Sequence, residues 1–115
     1  MADNVHNFIR VTIPEHMLGD GEVQARVDEV TKIAGGVSMT PSRGEWFDDK
    51  GERHVDQNVV MQWNFKAGKR HLMTVATGRV VNAMFFHGEK AVFRERWFND
   101  EVYRASILYA PTHTT

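Results

Sequence analysis

Fourteen basic side chains, fifteen acidic ones, six histidines and no cysteine set the chemistry open to this 115-residue chain. Without a thiol, cysteine catalysis, zinc–thiolate sites and iron–sulfur clusters are excluded. His6, His16, His54, His71, His87 and His113 are scattered without metal-ligand spacing, so each reads as a surface or helix-end histidine and no metal is expected. The glycine-rich dinucleotide and phosphate loops are missing, as are His-Glu-x-x-His and Gly-x-Ser-x-Gly. Three segments are more informative. They are Gly35-Gly36-Val37-Ser38-Met39-Thr40; Gly44-Glu45-Trp46-Phe47 with Gly51 and Asp56 after it; and His87-Gly88-Glu89-Lys90-Ala91-Val92-Phe93.

The elements that must position these residues follow from periodicity. Residues 8–13 are β-branched and aromatic and stop at Pro14, which reads as a strand. Asp20 is placed to cap a helix in which Val23, Val27, Val30 and Ala34 recur at helical spacing, with Gly35-Gly36 as its stop. Residues 37–47, interrupted by Pro41 and Gly44, and His54–Phe65 read as a long hairpin turned at 48–51. Its proline marks a sheet edge.

The stretch 68–87 decides the fold. Its residue types favour strands, but strand alternation fails there. Leu72, Met73, Ala76, Val80, Ala83 and Met84 share one helical face, while Arg70, Thr74, Thr77 and Asn82 take the other. A helix ending near His87-Gly88 is therefore predicted. Strands at 91–98 and 102–109 complete the chain, with a turn at 99–101 and a frayed tail from about 111.

The resulting fold class is α+β: a ferredoxin-like β-α-β-β-α-β sandwich with an extra C-terminal strand, in a single domain over 1–115. An antiparallel meander carrying one helix is the competing reading. With 42% hydrophobic and 25% charged residues the composition is that of a soluble globular domain. No apolar run approaches the ~20 residues of a membrane span, and the N-terminus lacks a signal peptide, so a cytoplasmic protein without a membrane partner is expected.

Net charge is −1, but residues 1–58 carry six basic and eleven acidic residues while 59–115 carry eight and four. Mixed in one fold, this gives a surface of both signs. Kept apart, it would let subunits meet acidic side to basic side. No block of five like charges suggests a nucleic-acid arm. Trp63, Phe93 and Trp97 read as core, and Arg94 with Arg96 offers only a faint RNA-binding face, so nucleic acid is not an expected partner.

Over about residues 8–95, the three informative segments resemble small PII-like, ferredoxin-like proteins of bacteria and phages. In that group a helix ends in Gly-Gly, the next strand carries Gly-x-Trp or Gly-x-Tyr, strand three bears an acid, and a Gly/Gln-Glu-x-Val step opens strand four. It includes nitrogen-regulatory trimers that bind adenine nucleotides between subunits. It also includes phage S-adenosylmethionine lyases, which act at subunit interfaces with little more than carboxylates and an aromatic hydroxyl. The resemblance implies a homo-oligomer, with a trimer favoured, that binds an adenosyl-type small molecule without any cofactor.

Carried onto this sequence, the resemblance makes Glu89 and Asp56 the catalytic acids, and Trp46, Glu45 and Arg94 ligand-binding residues. Two departures stand out: Trp46 has no hydroxyl, and Asp56 is one methylene shorter than a glutamate. Read alone, Trp46 is equally a packed hairpin aromatic and Glu89 a solvated turn residue. Two other functions fit the element order. One is a phage or bacterial protein that binds and modulates a host protein through the exposed hairpin edge. The other is a cofactor-free or haem-dependent monooxygenase of the dimeric α+β barrel type.

Overall fold

The computed structural model describes residues 7–99 and 101–111; the expected frayed tail and Asp100 of the expected turn lie outside them, as do His6 and His113. Five strands form one antiparallel sheet: β1 (Asn7–Pro14), β2 (Ser38–Phe47), β3 (Arg53–Phe65), β4 (Ala91–Trp97) and β5 (Arg104–Tyr109). Their order across the sheet is β2-β3-β1-β4-β5. Helices α1 (Glu22–Ala34) and α2 (Arg70–Phe86) cover one face. The ferredoxin-like α+β reading holds, and β5 extends the sheet beyond β4.

Strict alternation in β1 sends Asn7, Ile9, Val11 and Ile13 under the helices. Register carries this across the sheet. Ile9 faces Trp63 and Val11 faces Met61, and all four are buried. The Trp63 indole N–H donates to Thr31 Oγ1 at 3.0 Å, which satisfies its one polar atom inside the core.

Helix α1 buries Val23, Val27 and Val30 and ends at Gly35, whose φ of 95° suits the left-handed cap. Asp20 does not cap it. Gly21, at φ 133°, occupies the cap position without a side-chain bond, and the Gln24 side chain accepts from the Gly19 amide at 3.0 Å instead. The chain enters the helix through a conformation that only glycine adopts easily, one residue too late for Asp20.

The ambiguous stretch is helix α2, as its periodicity predicts. Its buried stripe runs through Met73, Ala76, Thr77, Val80, Ala83 and Met84, and Leu72 lies on the neighbouring exposed stripe with Val75. Leu72 is thus no core residue, and Thr77 is no surface one. The Thr77 hydroxyl, 1% exposed, donates to the Met73 carbonyl at 2.7 Å, so burial leaves it bonded within the helix. Phe93 and Trp97 also depart from expectation. Strand alternation places them on the helix-free face, where each is more than a third exposed.

Candidate functional site

The long hairpin and the end of α2 are the main elements that build a cleft at the end of the sheet where β1 stops. In the hairpin, β2 and β3 pair Trp46 with His54 and Gly44 with Asp56. Trp46 stacks on the His54 ring with centroids 4.3 Å apart and planes 16° from parallel. Its indole N–H donates to Asp56 Oδ2 at 3.0 Å. Trp46 is therefore clamped on its face by one neighbour and at its edge by another.

Glu89 is placed by the way α2 stops. Past the C-cap His87, Gly88 takes φ 107°, and its amide donates to the Phe85 carbonyl at 3.1 Å. The Glu89 amide reaches the Met84 carbonyl at 3.0 Å. This double bond pattern is a Schellman motif, which fixes the residue after the glycine relative to the helix axis. Glu89 then lies just before β4.

Between these elements opens a cleft of about 980 Å³ lined by Trp46, Val55 and Asp56 on one side and Gly88, Glu89 and Lys90 on the other. Pro14 at the end of β1 and Glu15 and His16 in the 3-10 turn after it (Glu15–Met17) also line it, and Asn58 adds an amide. The volume suits a drug-sized or nucleoside-sized ligand. Three carboxylates, Glu15, Asp56 and Glu89, line it together with one lysine, Lys90, and one histidine, His16.

Trp46, Asp56 and Glu89 thus come together from three parts of the sequence. Glu45 and Arg94 do not join them. Glu45 alternates to the opposite side of β2 from Trp46, where it pairs with Arg43 at 3.4 Å and with Arg53. Arg94 shares the helix-facing side of β4 with Val92, since it pairs across with Val11. Burial first, and then the neighbouring Arg96, lowers its guanidinium below the ordinary value, and its Nε is buried without a hydrogen-bond partner.

Sequence reasoning missed Glu15, His16, Asn58 and Lys90 as cleft residues. The available signal was topological: ferredoxin-like order puts the end of β1, the turn end of the β2–β3 hairpin and the start of β4 at one end of the sheet. It also missed the role of His54, which stacks on Trp46 and bonds to Asp48 Oδ2 at 2.9 Å. Asp48, Glu52 and His54 bring ligand-type atoms within 4.8 Å of one another at the exposed hairpin tip. There Asp48 Oδ1 already accepts the Lys50 and Glu52 amides, each at 2.9 Å, and the group acts as a clasp for the turn.

The fold has counterparts among solved structures. The chain shares the fold of a phage SAM lyase. With that enzyme in complex with S-methyl-5'-thioadenosine the TM-score is 0.63 at 13% identity, covering 96% of this chain and 95% of the other. With a phage SAM lyase in the apo state the TM-score is 0.57 at 11% identity, covering 94% and 92%. No protein-family model matches the sequence, and no curated protein matches it. Among the described residues no helix is long and apolar enough to cross a membrane.

Proposed function

We propose that this protein is a cytoplasmic homo-oligomer, a trimer by preference, that binds an adenosyl-type small molecule in the cleft and cleaves S-adenosylmethionine there. The observation that carries the reading is the convergence of Trp46, Asp56 and Glu89 on one cleft, in the fold of a phage SAM lyase. An adenine or a sulfonium centre is served by the face of Trp46, through stacking and cation–π attraction. The preponderance of carboxylates in the cleft favours a cationic ligand over a polyphosphate.

The reaction balances within the substrate. Its own carboxylate oxygen attacks Cγ, the Cγ–S bond breaks, and the electron pair returns to sulfur. The products are methylthioadenosine and homoserine lactone, with no proton, electron or co-reactant required. Charge then decides the roles of the acids. The sulfonium loses its charge in the transition state, so an anion aimed at it would favour the ground state. The substrate ammonium keeps its charge, so Glu89 acts best by holding that group and presenting the carboxylate to Cγ. One oxygen of Asp56 is committed to the Trp46 indole, which makes Asp56 a positioning residue for the aromatic face as well as a negative charge.

Titration calorimetry with S-adenosylmethionine, methylthioadenosine, ATP, ADP and a cyclic nucleotide tests the ligand class. Chromatography of a metal-free incubation with S-adenosylmethionine tests the reaction. Binding of the adenosyl thioether and sulfonium compounds ahead of the nucleotides is expected. Silence across the panel would retire the ligand class, and binding without product would retire the lyase reading alone.

A further inference from the structure

Strands β1 and β3 pair last at Pro14 and Asn58, and from there to its turn the hairpin runs on as a two-stranded ribbon. Two strands alone are marginally stable in water, so side chains packed across the ribbon must hold it. Trp46, His54 and Asp56 share one side of this ribbon, since Trp46 pairs with His54 and Gly44 with Asp56. Trp46 is 49% exposed. An indole so placed has torsional freedom to lose, and a ligand that stacks on a mobile ring must first order it.

A continuous chain of contacts orders the ring beforehand. Asp48 is fixed by the turn, where its Oδ1 accepts the Lys50 and Glu52 amides and its backbone carbonyl accepts the Gly51 amide at 2.9 Å. Its other carboxylate oxygen lies 2.9 Å from His54 Nε2. A carboxylate oxygen only accepts, so this nitrogen carries the hydrogen and the imidazole is tethered. The tethered ring lies nearly parallel to the indole at 4.3 Å, and the indole edge is bonded to Asp56. Turning the indole out of this plane would break one contact or the other. Trp46 and Asp56 line the cleft and His54 does not. The imidazole therefore covers the indole face turned away from the cleft and leaves the opposite face open.

We infer that His54 is a positioning residue for the cleft: its ring, tethered to Asp48, backs the Trp46 indole and presents the opposite face to the planar part of an adenosyl ligand. Use of that face by a ligand rests on the adenosyl reading above; the holding of the indole does not. A platform formed in advance spares the ligand the ordering of a side chain. The effect therefore falls on affinity and KM, and kcat is unchanged.

Two substitutions separate the ring from its tether. His54→Gln keeps a donor for Asp48 and removes the ring, whereas His54→Phe keeps a ring and removes the donor. In calorimetry with methylthioadenosine, His54→Gln should weaken binding about two- to tenfold, the range to which one aromatic pair converts. His54→Phe should recover most of that loss. In a Trp46→Ala background His54→Gln should weaken binding no further, because His54 acts through the indole alone. Without ligand, the Trp46 indole N–H signal in a proton–nitrogen correlation spectrum, assigned by its loss in Trp46→Phe, should move in His54→Gln. The signals of Trp63 and Trp97 should stay in place. Wild-type affinity in His54→Gln, affinity in His54→Phe as low as in His54→Gln, or additive losses in the double variant would each overturn the assignment. So would an unmoved Trp46 signal. Should His54→Gln fail to fold, the wild type decides: a nuclear Overhauser contact between the His54 and Trp46 rings is expected, and its absence refutes the inference. A wild type silent to methylthioadenosine removes the ligand reading, and the NMR result then judges the holding of the indole by itself.

Discussion

Glu89 and Trp46 divide the work of the proposed site, and substitutions should separate them. Glu89→Gln keeps the shape and hydrogen bonding but removes the charge that would hold the substrate ammonium. Turnover should fall by ~100-fold, the size of effect that follows loss of positioning in an intramolecular displacement, with oligomer mass unchanged. Trp46→Ala should instead weaken binding by about tenfold through lost stacking and cation–π contact, measured as Kd rather than kcat. Unchanged turnover in Glu89→Gln would remove that residue from the reaction. At the hairpin tip, bonds from His54 first and then from the Glu52 and Lys50 amides lower the Asp48 carboxyl below its ordinary value. A depressed carboxylate contributes stability above the unfolded value, near 3.9, and loses it as pH falls through the folded one. The turn should therefore hold at neutral pH and loosen only in acid. An NMR titration of Asp48 with a midpoint at or above the ordinary aspartate value would count against this. The residue pattern made Trp46, Asp56 and Glu89 visible through a family resemblance, but the error over Glu45 was avoidable. Neighbours on a strand point to opposite faces, so Glu45 is turned away from Trp46, toward Arg43 and Arg53. Arg94 falls to the same rule, two residues from the buried Val92.

At the level of elements, the sequence was most legible where one signal outweighed the rest. Valines at helical spacing and a glycine stop define α1, and the turn at 48–51 defines the hairpin register that brings His54 onto Trp46. Helix α2 was legible as a helix but not in its orientation. Apolar residues run nearly all round it, with Leu72, Val75 and Phe86 exposed, so periodicity alone does not choose the stripe that faces the core. The misplacement of Phe93 and Trp97 has a different cause. Large aromatics on a strand read as core unless the sheet is known to have a helix-free side, and that is a property of the whole fold. Gly35 offers a test of how firmly α1 is terminated. Its φ of 95° lies where a β-carbon is strained, although nothing stands within 4 Å of one. Gly35→Ala should cost ~1–2 kcal/mol, from backbone conformation alone. Thermal or urea unfolding reads it, and a neutral result would mean that the α1–β2 connection relaxes to another cap.

Ligand binding and assembly, both part of the proposed function, are coupled wherever the ligand touches more than one chain. The acidic first half of the sequence supplies Trp46 and Asp56, and the more basic second half supplies Glu89 and Lys90. A ring or pair of chains would place these parts against each other, and each bound ligand would then add contacts that only the assembled state offers. Thermodynamic linkage makes the effect reciprocal: a ligand that prefers the assembly tightens it by the factor by which assembly tightens the ligand. Couplings of this kind are typically ~1–3 kcal/mol, or about 5- to 150-fold. Diluting the protein through its dissociation midpoint should therefore weaken the apparent affinity for methylthioadenosine. Saturating compound should raise the sedimenting mass at concentrations where the free protein has dissociated. Titration calorimetry at a series of protein concentrations reports the first effect, and sedimentation velocity reports the second. An affinity that stays constant while the mass falls would show that each chain holds its ligand alone. Assembly would then play no part in the site.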